Sequence, residues 1–163
     1  MSKNSTKKAT KRTNYLVCVN DKEYSKVALS FACNMAKKSN GSITLLHVTE
    51  PTEYLSFGAV ADKMRLELRL EAEKLLNELA KEIQKRADIT PALVVCEGII
   101  EDEIVRVIEK DNDINMLIVG AAADSSTKSK VIPPLVAQVG NKLLIPVLVV
   151  PGNLTKRQIE ELT

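Results

Sequence analysis

The residues best placed to do chemistry lie between Asn115 and Val150. An apolar run, Met116-Leu-Ile-Val119, ends in Gly120, and a polar loop, Asp124-Ser-Ser-Thr-Lys-Ser-Lys130, follows. Pro133-Pro134 then leads into a helical segment, and Pro146-Val-Leu-Val-Val150 is a second apolar run. Strand, loop, helix and strand in that order put backbone N–H groups at a loop-to-helix junction. Parallel α/β sheets bind anions there, at the carboxyl ends of their strands. The chemistry on offer is therefore anion binding, although surface loops of this polar composition are common without any ligand.

Other reactive side chains are sparse. His47, the only histidine, ends an apolar run, where a hydrogen-bonded strand histidine is the expected role. A single histidine leaves no metal cluster of the usual spacing and no choice of base for a triad. Cys18, Cys33 and Cys96 show no C-x-x-C spacing and are expected to be reduced, buried thiols. Glu101-Asp102-Glu103 opens a helical segment, and three acids in a first turn complement the helix dipole. No second acidic group at suitable spacing supports a metal site, so none is expected, and no residue is assigned a catalytic role.

The elements that must position these residues alternate. Tyr15 to Val19 reads as a buried strand, and Ser25 as the N-cap of a helix bearing Val27, Ala28, Phe31, Ala32, Met35 and Ala36. Lys37 and Lys38 sit in its last turn and Asn40-Gly41 ends it. Ser42 to Val48 is a second strand. A long helix over about 61–87 carries the stripe Met64, Leu68, Ala72, Leu75, Leu79 and Ile83. Pro91 to Cys96 is the third strand. A helix from the acidic cluster leads to the fourth strand at Met116 to Val119. A helix near Leu135 to Leu143 precedes the fifth strand at Pro146 to Val150. Strands alternating with helices imply a parallel sheet with helices on both faces. Residues 152–163 form an extension in which Thr155-Lys-Arg-Gln158 has capping-box spacing and Ile159 and Leu162 form a small apolar face.

Composition sets bounds on function. A chain of 163 residues is enough for one domain with a full core. No apolar run approaches the ~20 residues of a membrane span, and no apolar leader segment precedes the domain, so a cytoplasmic protein is expected. Two Phe, three Tyr and no Trp disfavour stacking platforms for single-stranded nucleic acid. The net charge of +2 hides an asymmetry. Residues 1–13 carry Lys3, Lys7, Lys8, Lys11 and Arg12 and no acid, while the remainder holds 18 basic and 21 acidic residues. The first 13 residues read as a disordered basic tail, with a salt-sensitive polyanion contact as the alternative to a solvated leader. Nucleic acid is not the expected partner.

The order of these pieces is similar to that of the universal stress protein family. The matching pieces are the polar turn after the first strand, Leu45-Leu-His-Val48 with Pro51, the long charged helix, Leu117-Ile-Val-Gly120, and Pro146-Val-Leu-Val-Val-Pro151. The resemblance covers about Tyr15 to Pro151. It implies a Rossmann-like, adenine-nucleotide-alpha-hydrolase-like α/β fold, with a five-stranded parallel sheet in the order 3-2-1-4-5. It also implies a homodimer paired through the last strand, here Val147, Leu148, Val149 and Val150.

Many family members bind ATP through G-x2-G-x9-G-[S/T] after the fourth strand. The first Gly matches Gly120, but Ala123 stands at the second position and Pro133-Pro134 at the final pair. The family's Asp after the first strand is Asn20 here, and Val48 matches a position that lines the adenine pocket. A phosphate loop aims backbone N–H groups at oxygens, often from positive-φ positions that glycine tolerates. Proline has no N–H and fixes φ. The expectation is a non-catalytic, homodimeric, partner-binding stress protein with no ATP cofactor. An ATP- or AMP-binding regulator with weak hydrolase activity, and a polyanion binder using the tail, are the alternatives.

Overall fold

The computed structural model describes residues 11–51, 58–124 and 129–163. Among these, five strands and five helices alternate. They are β1 (Asn14–Cys18), α1 (Glu23–Ser39), β2 (Ser42–Thr49), α2 (Gly58–Ala87), β3 (Ala92–Glu97), α3 (Ile100–Lys110), β4 (Ile114–Ala121), α4 (Ile132–Gln138), β5 (Val147–Pro151) and α5 (Lys156–Leu162). The strands form one parallel sheet in the order β3-β2-β1-β4-β5, as expected from the sequence.

Each inner strand is apolar on both faces because both faces are covered. Val17, Leu45 and Ile118 pack with Ala28 and Ala32 of α1 and with Leu76, Leu79 and Ile83 of α2. Leu16, Leu46 and Leu117 point the other way, into a second cluster with Ile104 of α3, Leu135 of α4 and Leu143. The β1–β4 ladder slips by one residue, from Asn14↔Ile114 to Tyr15↔Met116. The skipped Asn115 uses its side-chain oxygen to accept the Asn14 N–H at 2.6 Å, so the donor freed by the slip is not lost.

Three local expectations are corrected. Ser25 is not the N-cap of α1: the cap is Lys22, with no side-chain cap bond, and Ser25 lies buried in the first turn. Its hydroxyl turns back to accept the Asn20 N–H at 2.9 Å, tying the β1–α1 turn instead of the helix end. The stripe of α2 is also shifted. Ala61, Ala72, Leu76, Leu79 and Ile83 are buried, whereas Met64 is exposed. A helix of 30 residues is about 45 Å long. Eight-residue strands reach only about 27 Å, so most of its first half overhangs the sheet.

The third correction concerns α4, which stops at Gln138 rather than running to Leu143. Gly140, at φ 84, turns the chain, and the Leu143 N–H bonds back to the Gln138 carbonyl at 2.9 Å. Leu143 is fully buried, but from a turn and not from a helix. At the other end of α1, Asn40 caps the helix in the left-handed region (φ 51, ψ 38), where Asn and Gly are favoured.

Residues 11–13 lie against the body. Lys11 pairs with Asp113 at 3.1 Å, and the Thr13 carbonyl accepts the Ser42 N–H at 2.8 Å. The remainder of the basic tail, residues 1–10, lies outside the described residues.

Candidate functional site

The chain leaves β1 toward β2 and leaves β4 toward β5, so the strand order reverses between β1 and β4. A crevice opens at such a switch point, beyond the carboxyl ends of the two strands. Here it has a volume of about 260 Å³. Its walls are Cys18 and Asn20 after β1, Tyr24 of α1, Glu50 after β2, Gly120 at the end of β4, and Lys130 before α4.

Asn20 holds the floor in place. Its Oδ1 accepts the Lys22 N–H at 2.9 Å, its Nδ2 donates to the Tyr24 hydroxyl at 3.1 Å, and its own N–H goes to Ser25. Both ends of the carboxamide are thus engaged within the β1–α1 turn. Tyr24 enters the cleft because its backbone packs directly on β4 and on the chain after β5. A Cβ on Gly120 would collide with the Tyr24 carbonyl oxygen, and one on Gly152 would collide with the Tyr24 Cβ. The Gly152 N–H also bonds the Ala121 carbonyl at 2.7 Å. Two glycines therefore let α1 start hard against β4 and the end of β5, and the phenol ring of Tyr24 is carried into the cleft as a result.

The other sequence-picked positions scatter. Val48 is only 8% exposed and packs in the core with Leu46, Ile104 and Val105, not on the cleft wall. Ala123 is exposed. Pro133 and Pro134 sit in the first turn of α4, an arrangement that costs no intrahelical bond because the first N–H groups of a helix have no intrahelical acceptor. Neither proline lines the cleft. Residues 125–128 of the intervening loop lie outside the described residues.

The remaining candidates have structural explanations. His47 bonds the Val19 carbonyl through Nδ1 at 2.9 Å, which requires the proton on that nitrogen. This is the expected hydrogen-bonded strand histidine. Glu103 of the acidic cluster is buried and pairs with Arg106 at 2.7 Å, and no metal-holding group occurs among the described residues. Cys33 is buried, but Cys18 and Cys96 are only half-buried, which corrects the expectation of three buried thiols. Burial pushes the Cys18 thiol up to about 12. Burial pushes Cys33 up to about 11 against the opposing charge of Arg86. Cys96 is raised by burial first and by the Glu103 carboxylate second. Each shift disfavours the thiolate, the reactive form of the side chain.

Lys130 belongs to the polar loop expected to border the site, whereas Tyr24, Glu50 and Ile100 were not foreseen as cleft-lining residues. Only Tyr24 left a signal: it lies one helical turn beyond Asn20, and the glycines at 120 and 152 each require a close backbone neighbour.

Residues 11–151 match the Universal stress protein family. The chain belongs to that family. No curated protein matches it in sequence. Among solved structures it resembles the universal stress protein UspA from Lactobacillus plantarum, with a TM-score of 0.69 at 17% identity over 86% of this chain and 98% of that one. It also resembles an Arabidopsis thaliana universal stress family protein with AMP bound, with a TM-score of 0.62 at 18% identity over 85% and 91%. The universal stress protein of Archaeoglobus fulgidus in complex with dAMP gives a TM-score of 0.60 at 14% identity over 86% and 98%. At these identities the likeness to universal stress proteins of known structure is one of fold, and it agrees with the strand order observed here.

Proposed function

We infer that this universal stress family protein is a non-catalytic module that works as a homodimer by binding protein partners, without ATP as a cofactor. One observation carries the reading: the prolines at the motif's final pair supply no N–H and stand off the cleft, and the Asn20 carboxamide is already bonded within the β1–α1 turn. Asn20 commits both ends of its carboxamide to Lys22 and Tyr24, and Tyr24 lines the cleft. Pro133 and Pro134 take the first turn of α4. The cleft, at about 260 Å³, lies below the ~300–1,000 Å³ usual for small-molecule sites.

The dimer half of the reading rests on β5. It is an edge strand among the described residues, Val149 on it is exposed, and Leu144 shortly before it is 80% exposed. An apolar, unpaired edge of this kind needs cover, and a second copy across a two-fold axis supplies it.

A second reading is a nucleoside monophosphate in the same cleft, since Lys130 and Tyr24 both line it. Calorimetric titration of the full chain with Mg²⁺-ATP and with AMP separates the two. The main reading expects no saturable heat at micromolar concentration from either nucleotide. Saturable AMP binding that is lost in Lys130→Glu would favour the second.

A further inference from the structure

A larger concavity runs along α1 from Glu23 to Lys37, between that helix, α5 and the last turn of α2. It shares no residue with the cleft at the β1–β4 switch point. Its volume is about 460 Å³, inside the range of small-molecule sites. One wall is the C-terminal extension, which lies beyond the residues that match the family. That wall is well fixed. The Thr155 hydroxyl accepts the Gln158 N–H at 3.2 Å, the Gln158 side chain accepts the Thr155 N–H at 2.9 Å, and Ile159 is buried. Asn34 of α1 also reaches Thr163 at 3.4 Å.

The charge of the trough runs against that of the body around it. Lys26, Lys37, Arg86 and Lys156 line it against Glu23 and Glu160. Residues 14–163 as a whole carry 18 basic and 21 acidic side chains. Lys26 is held by Glu23 at 3.3 Å, and Arg86 donates to the Ser30 hydroxyl at 2.6 Å. Lys37 and Lys156 have no ion-pair partner among the described residues. Val27, Leu154 and Ile159 add apolar surface to the same trough. Cations together with apolar surface fit a ligand with two matching parts, a compact apolar body and an anionic head.

We propose that this trough is a binding site for a small amphipathic anion, of the class of an aryl phosphate monoester. Lys37 and Lys156 give the trough its positive potential, and the body rests on Val27, Leu154 and Ile159. The two ammonium groups add to the attraction without first giving up a salt bridge.

The test is an amide NMR titration of the full chain with phenyl phosphate, with inorganic phosphate run alongside. The expected result is saturable shifts at Val27, Asn34, Leu154 and Ile159, with a Kd below about 1 mM. Inorganic phosphate should bind at least about tenfold more weakly, since it cannot use the apolar surface. The double variant Lys37→Glu, Lys156→Glu should weaken phenyl phosphate at least about tenfold with an unchanged melting temperature. If that variant does not fold, Lys37→Gln, Lys156→Gln must show a loss in the same direction. Shifts that fail to saturate, shifts centred on Tyr24 and Gly120, equal affinity for inorganic phosphate, or full affinity in the lysine variants would each overturn the proposal.

Discussion

Asn20 and Gly120 both line the switch-point cleft, and each is held by Tyr24, the first by a hydrogen bond and the second by backbone contact. Gly120 ends a strand at the point where a phosphate loop begins, yet its nearest neighbour is the Tyr24 carbonyl. Gly120→Ala should therefore destabilise the fold by about 1–3 kcal/mol through overpacking against backbone. Ala123→Gly, at an exposed position, should cost less than ~1 kcal/mol. Urea midpoints measure both, and an unchanged midpoint for Gly120→Ala would mean that the start of α1 yields. The cysteines make a second residue-scale case. Cys33 is raised from 9.0 to about 11, so its thiolate fraction at pH 8 falls about 100-fold, one power of ten per pKa unit. Iodoacetamide should modify native Cys33 about 100-fold more slowly than the urea-unfolded chain. Because burial raises the folded pKa, the native state keeps its protons longer. The thiol contribution to stability is then complete below about pH 9. It is lost as pH climbs toward about 11 for Cys33 and about 12 for Cys18.

Element existence was legible wherever periodicity and punctuation agreed, and boundaries failed where a tertiary contact decided them. Thr155 and Gln158 announced a capping box, and both of its bonds are present. Ser25 had the same chemistry, but the nearby Asn20 N–H captured its hydroxyl. The apolar spacing of Leu135 and Leu143 was right about burial. It was wrong about helix, because Gly140 takes a positive φ that ends α4 first. On α2, a spacing by fours and threes gives the buried face but not where the sheet stops beneath it. The C-terminal helix itself is testable. Ile159 is 5% exposed and anchors α5. Ile159→Ala should lower global stability by about 2–5 kcal/mol, as for other buried Ile or Leu truncations. A loss below ~0.5 kcal/mol in chemical denaturation would show that α5 opens independently of the body.

At the scale of the whole molecule, the alternation of strands and helices with the family resemblance implied the sheet order. The cleft was harder to read, since Tyr24 in the first turn of α1, Glu50 after β2 and Lys130 before α4 are brought together only by the fold. Assembly is a matter of edges. Val149 is 36% exposed on β5, so Val149→Lys should shift a dimer toward monomer in sedimentation equilibrium. An unchanged mass would move the interface elsewhere. The proposed function requires that this universal stress fold does not hold a triphosphate. Each charge-assisted hydrogen bond missing from a phosphate site costs about 1.5–3 kcal/mol, and ~1.4 kcal/mol is tenfold in affinity. The direct measurement is calorimetry with Mg²⁺-ATP on the natural chain beside the triple variant Ala123→Gly, Pro133→Gly, Pro134→Ser, which restores glycines and a hydroxyl at unchanged loop length. The natural chain should give no saturable heat at micromolar ATP, and the variant should gain binding. Micromolar ATP binding by the natural chain would contradict the proposed function.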